Sequence, residues 1–100
     1  MGALNGAAAR QLAASTAHHQ AGRLAEALAG YRALIAAHPA LAELRYRAGV
    51  ALLALRRFDE AEVELEKAAL LEPAQPAAWL SLGIARRELL RREAALAAFA

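Results

Sequence analysis

The stretch "FDEAEVELEKAALLEP", residues 58–73, decides the fold. Apolar side chains return through it at helical spacing, acidic residues fill the positions between, and Pro73 ends it. Much of the stretch also returns elsewhere in the chain at a fixed distance. Displaced by 34 residues, Ala61 meets Ala27 on one side and Ala95 on the other, Leu65 meets Tyr31 and Phe99, and Pro73 meets Pro39. Ser15, Gly49 and Gly83 form a further set of small residues at the same period. Alanine matches are cheap in so alanine-rich a chain, but prolines, small residues and large apolar residues holding one period together mark a true repeat.

The rest of the composition fits a helical repeat. One hundred residues suffice for one small domain, and the 59% apolar content is mostly alanine and leucine with few β-branched or aromatic residues, which favours helix over strand. The expected class is therefore all-α. The absence of cysteine removes disulfide frameworks and thiolate metal sites. A net charge of +2 without a basic tail gives no reason to expect nucleic acid as a partner. The N-terminus lacks a basic leader with an apolar core, and the longest apolar run, "AGVALLAL" at 48–55, is far too short for a membrane span. A cytoplasmic protein with no membrane partner is the expectation. Eleven arginines to one lysine, with abundant alanine, suggest a GC-rich bacterial genome.

Each unit holds two apolar-periodic segments. First helices are predicted over about 7–21, 41–55 and 76–90, and second helices over about 24–37, 59–72 and from 92 onward. Units then span about 8–41, 42–75 and 76–100 of a single domain, 1–100, the third unit being incomplete. Gly22 can take the positive φ that closes a helix, and Asp59 with Glu62 has the spacing of a capping box. Pro39 and Pro73 prevent continuation, and Pro76 suits a first helical position. Gly49 and Gly83 are read as close helix contacts, with Tyr31, Leu65 and Phe99 filling the space beside the small residues.

These residues resemble the tetratricopeptide repeat family, whose pattern is W-x2-L-G-x2-Y, then A-x3-F, then P. The resemblance covers about residues 8–100. In the third unit Trp79, Leu82, Gly83, Ala95 and Phe99 are in register, with Arg86 at the tyrosine position. The second keeps Gly49, Ala61, Leu65 and Pro73 but has Arg45 for the tryptophan and Ala48 for the leucine. The first keeps Gly22, Ala27, Tyr31 and Pro39, with Gln11, Ala14 and Ser15 in its first helix. The resemblance implies a right-handed α-solenoid whose first helices line a concave groove. Carried over position by position, that groove comprises Leu12, Thr16, His19 and Gln20; Glu43, Tyr46, Val50, Leu53 and Ala54; and Ala77, Leu80, Ile84, Arg87 and Glu88. Some family members hold the C-terminal carboxylate of chaperone peptides with groove lysine and asparagine. This groove has neither, so a chaperone clamp is not expected.

Tyr46, Val50 and Leu53, and Leu80 with Ile84, make an apolar face distinct from the glycine face. Either neighbouring helices cover it, or it receives an apolar or helical segment of a partner. Arg23, Arg56, Arg57, Arg91 and Arg92 are placed at turns along one edge, where they either attract an acidic partner or, the favoured reading, complement helix dipoles together with the acidic residues that follow. Glu60, Glu62, Glu64 and Glu66 form an acidic run that Arg45 or Arg47 is expected to offset.

No reaction chemistry is apparent. His18 and His19 are adjacent and so diverge on a helix, which does not suit zinc, and Ser15, His18 and Asp59 do not make a credible triad. No glycine-rich phosphate loop is present. No catalytic, cofactor or metal residue is expected, and the chain is read as a non-enzymatic protein-interaction module. The alternative is the N-terminal recognition or oligomerisation part of a larger bacterial glycosyltransferase, sulfotransferase or oxygenase. Leu89, Leu90, Leu96 and Phe99 are expected to be exposed at the C-terminal end, which would form a homodimer or dock against whatever follows.

Overall fold

Asn5 caps the first helix by a simple exchange: its side-chain oxygen accepts the Ala8 amide at 2.8 Å, satisfying one of the donors that a helix start leaves unpaired. The structure, a computed structural model, describes residues 4–99. Five helices follow: α1 (Gly6–Gln20), α2 (Leu24–Ala37), α3 (Ala42–Ala54), α4 (Phe58–Leu71) and α5 (Pro76–Phe99). Each packs chiefly on its neighbours in sequence, and α3 also touches α5. The stack is elongated, 52 × 29 × 19 Å.

The first two units close by the same turn. After α1, the Arg23 amide donates to the His18 carbonyl at 2.8 Å and the Gly22 amide to His19 at 3.0 Å; after α3, Arg57 donates to Leu52 at 2.9 Å and Arg56 to Leu53 at 2.9 Å. This is the Schellman arrangement, which needs a left-handed residue at its corner, and Gly22 (φ 82°) and Arg56 (φ 60°) supply it. Gly22 adopts that conformation freely, whereas a side chain there costs roughly 1–2 kcal/mol. Arg56 recovers part of the cost by laying its guanidinium 5.2 Å from the centroid of the Phe58 ring, an interaction worth ~0.5–1 kcal/mol at a surface.

The third unit does not close. The pattern predicts a second helix from 92, but α5 runs unbroken from Pro76 to Phe99. Leu90 occupies the position of Gly22 and Arg56, where the left-handed corner would have no compensating contact. Arg92 stands where Leu24 and Phe58 provide the first apolar residue of the second helix. Arg92 instead reaches back to α4, its guanidinium 5.7 Å from the Phe58 ring centroid and 3.7 Å from the Asp59 carboxylate. Arg91 and Arg92 therefore lie within a helix, not at a turn.

Core packing follows the small-against-large pairing in the closed units only. A Cβ at Gly49 would come within 2.5 Å of Leu65, and one at Gly30 would collide with the Ser15 hydroxyl, so both contacts depend on a missing side chain. Tyr31, Leu44, Leu52, Leu65 and Leu82 are fully buried in the core beside Ala27, Ala48, Ala51, Ala61 and Ala85. Gly83 corrects the sequence reading: a Cβ there would meet nothing within 4 Å, because no second helix lies against it. The proposed Asp59–Glu62 capping box is also absent. Helix α4 begins at Phe58 without a side-chain cap, and both carboxylates serve ion pairs instead.

Candidate binding groove

The first helices of successive units meet through Arg47. Its guanidinium donates two hydrogen bonds to the Glu43 carboxylate one turn earlier on α3, at 2.8 and 2.9 Å, and a longer one of 3.4 Å to the Thr16 hydroxyl on α1. Burial disfavours the charged guanidinium, but Glu43 and Tyr31 outweigh it and hold the Arg47 pKa above its ordinary value. The cation is thus fixed in place as a strut between α1 and α3. Arg47 was not among the groove residues expected from the sequence; its i, i+4 spacing from Glu43 was the available signal.

Between α3 and α5 lies an open cleft of about 460 Å³, whose lining includes Leu41, Glu43, Tyr46, Arg47, Ala77 and Ala78. Tyr46 is half-buried on its floor and touches both parts of the core, one around Leu44 and Leu52 and one around Ala69 and Ala78. Farther along α5, Leu80 is 69% exposed and Ile84 36% exposed. Expected groove residues divide accordingly. Glu43, Tyr46 and Ala77 gather at the cleft, and Leu80 and Ile84 remain open on α5. Val50 is half-buried on α3. Leu12 and Leu53 are half-buried and pack against the core, His19 lies with its ring 6.3 Å from that of Tyr31, and Gln20 and Ala54 are exposed at the ends of α1 and α3. Arg87 and Glu88 form a 3.7 Å ion pair on α5.

Trp79 and Arg45 occupy equivalent positions and make the same contact. The Trp79 indole donates to the Pro73 carbonyl at 2.9 Å, and the Arg45 Nε donates to the Pro39 carbonyl at 3.2 Å. Each ties the start of a first helix to the proline that ended the preceding one. Arg45 also pairs with Glu64 at 3.0 Å, both side chains only 14% exposed. The rest of the acidic run is neutralised across helices: Glu62 and Glu66 by Arg86 at 3.1 and 3.7 Å, and Glu60 by Arg57 and Arg32 at 2.8 and 2.9 Å. Arg86, rather than Arg47, therefore joins Arg45 in offsetting the run. The hydrogen bonds from Arg57 and Arg32 pull the Glu60 carboxyl down to about 2, and Glu60 in turn raises Arg57.

His18 accepts a hydrogen bond from Arg23 Nε at 2.9 Å. Among the described residues no three His, Cys, Asp or Glu side chains gather as a metal site, and no helix is long and apolar enough to cross a membrane.

Paired antiparallel helices at a 34-residue period, tied at their prolines and packed small against large, define a helical-repeat solenoid. Residues 18–99 match the tetratricopeptide repeat family, and the chain belongs to it. None of the curated proteins compared matches the chain. Among solved structures, the second tetratricopeptide repeat domain of Spaghetti (RPAP3), bound to the HSP90 peptide SRMEEVD, aligns with a TM-score of 0.80 at 27% identity, over 84% of this chain and 78% of that one. The Arabidopsis OM64 tetratricopeptide repeat domain aligns with a TM-score of 0.80 at 28% identity, over 87% of this chain and 72% of that one. The fold is thus a right-handed α-solenoid, and its likeness to a peptide-bound domain supports a protein-interaction module.

Proposed function

We propose that this chain binds a protein partner by receiving an apolar or amphipathic segment along the face formed by α3 and α5. The observation that carries this is the exposed Leu80–Ile84 strip continuing from the cleft over Tyr46. Apolar side chains at i and i+4 beside a concave opening suit the apolar stripe of a helix or the alternate side chains of an extended peptide. The Arg47–Glu43 pair stands at the margin and would give direction to the bound segment through its charges.

The polar chemistry argues against a terminal-carboxylate clamp. The single lysine, Lys67, lies on α4, and the single asparagine, Asn5, caps α1, so neither stands among the proposed groove residues. Recognition would rest on apolar side chains of the partner rather than on its C-terminus.

A selection from displayed random 16-residue peptides tests the reading, followed by affinity measurement on the wild type and on Leu80→Glu. The expected peptides are amphipathic, independent of a free C-terminus, and at least tenfold weaker against Leu80→Glu. That variant should keep its helicity and melting point, since Leu80 is exposed. Peptides that bind both proteins equally would refute the groove assignment.

A further inference from the structure

Helix α5 carries two seams. One, through Ala78, Leu82 and Ala85, is buried in the core of its own chain. The other runs through Trp79, Gly83, Arg86, Leu90, Glu93 and Ala97, and all six are exposed. Alternating steps of four and three residues keep them within one ~80° sector of the helix, over a length of ~27 Å. An open cleft of about 480 Å³ borders this seam between α4 and α5. Asp59, Glu62 and Glu93 outnumber Arg86 and Arg92 in its lining.

The preceding unit shows what such a seam receives. Trp79, Gly83 and Arg86 are the successors, 34 residues on, of Arg45, Gly49 and Leu52 in α3. Helix α4 lies over that earlier seam: Leu65 fills the space above Gly49, and Glu64 pairs with Arg45 at 3.0 Å. The space above Gly83 is empty. Helix α4 is also tied to the second helix before it, Arg32 of α2 donating to Glu60 at 2.9 Å. The successor of Arg32 is Glu66, held only at 3.7 Å by Arg86, which Glu62 binds more closely at 3.1 Å. A helix seated on α5 therefore meets a carboxylate where α4 met a cation, and needs a cation where α4 has Glu60. Residues 91–99 do not offer one, since the successor of Glu60 is Ala94, within the same straight helix as Gly83.

We infer that this seam docks a helix of a separate protein, antiparallel to α5, with a large apolar side chain on Gly83 and a basic residue five positions before it facing Glu66. The spacing is that of Glu60 and Leu65 in α4, with the sign of the charge reversed. A small residue follows the basic one, as Ala61 follows Glu60, so that the axes can approach to the 8–10 Å of packed helices. The surface is distinct from the proposed groove, because Leu80 and Ile84 lie about 100–140° around α5 from the middle of the seam. The docked helix takes the place of the second helix that the third unit does not fold.

Trp79 is the one tryptophan of the chain and stands on the seam, so its fluorescence reports occupancy. The probe is a synthetic peptide of residues 58–73 carrying Glu60→Lys, compared with the unaltered peptide; neither contains tryptophan. The altered peptide should move the Trp79 emission to shorter wavelength and bind roughly fivefold more tightly than the unaltered one at low salt, the effect of one exposed ion pair. Glu66→Gln in the protein should bring the two affinities together. Gly83→Leu should abolish the shift without loss of helicity, because the position is open in the single chain. Leu80→Glu, which disables the proposed groove, should leave this binding unchanged. Binding that survives Gly83→Leu but is lost with Leu80→Glu would put the peptide in the groove and overturn the inference. Equal affinity of the two peptides, or no shift at millimolar peptide, would overturn it as well. So would light scattering that finds the chain alone dimeric and Gly83→Leu monomeric, which would give the seat to a second copy.

Discussion

Residues 42–71 and residues 76–99 carry the same repeat pattern and fold differently. The first forms a hairpin of two helices, α3 and α4; the second forms one helix, α5. Gly49 and Gly83 are equivalent, as are Ala61 and Ala95, and Leu65 and Phe99, yet the first member of each pair is buried at a helix contact and the second is open. What separates them is the connection. Arg56 accepts the left-handed corner with its cation over Phe58, whereas Leu90 and Arg92 offer neither a compensated corner nor an apolar first residue. Packing pattern alone does not close a unit.

The largest expected contrast is between the two aromatic or aliphatic fillers. Leu65→Ala, at a fully buried site, should destabilise the chain by ~2–5 kcal/mol, as large-to-small core changes do. Phe99→Ala, at a position 89% exposed, should leave the melting point of a dilute sample unchanged. Chemical denaturation of both variants measures the difference, and comparable losses would mean that Phe99 is packed within its own chain. The glycines give the next contrast. Gly49→Leu collides with Leu65 and should cost ~1–3 kcal/mol, while Gly83→Leu should be neutral or raise stability by up to ~1 kcal/mol, since glycine is a poor residue in an exposed helix.

A smaller effect separates Trp79 from its counterpart. Trp79→Phe removes one hydrogen bond to the Pro73 carbonyl and should cost ~0.5–1.5 kcal/mol in thermal melts. Arg45→Met should cost more, because it also strands Glu64 in a site only 14% exposed. The smallest effect is electrostatic. The Glu60 carboxyl is lowered to about 2 from an ordinary value of 4.5, so its contribution is complete above pH 4.5 and disappears as the pH falls toward 2. Glu60→Gln should flatten that part of the acid denaturation curve, and added salt should do the same because the group is exposed to solvent.

Much of this was legible in the chain. The period, the helix pairs of the first two units and the Gly22 corner followed from spacing and from glycine's tolerance of positive φ. The corner at Arg56 was marked only by its distance from Gly22, since an arginine gives no local sign of a left-handed conformation. The straightness of α5 was harder to read, because "RREAALAAF" at 91–99 suits a helix whether or not a turn precedes it. Its signal lay in two substitutions, Leu90 at the corner position and Arg92 at the apolar one, which matter only through contacts with α4. In the groove, the Leu80–Ile84 strip followed from periodicity. The Arg47 strut to Thr16 and the partial burial of Leu12 and Leu53 against the core depend on how helices stack, which a single helix pattern does not encode.

The central claim is that the third unit stays open because its connection continues the helix. Spin labels at the exposed positions Ala77 and Ala98, in labelled chains diluted with excess unlabelled protein, measure the separation within one chain by pulsed dipolar spectroscopy. A continuous α5 places the two backbone positions ~32 Å apart at 1.5 Å rise per residue. A closed hairpin, with helix axes 8–10 Å apart, would bring them to within ~15 Å and contradict the account.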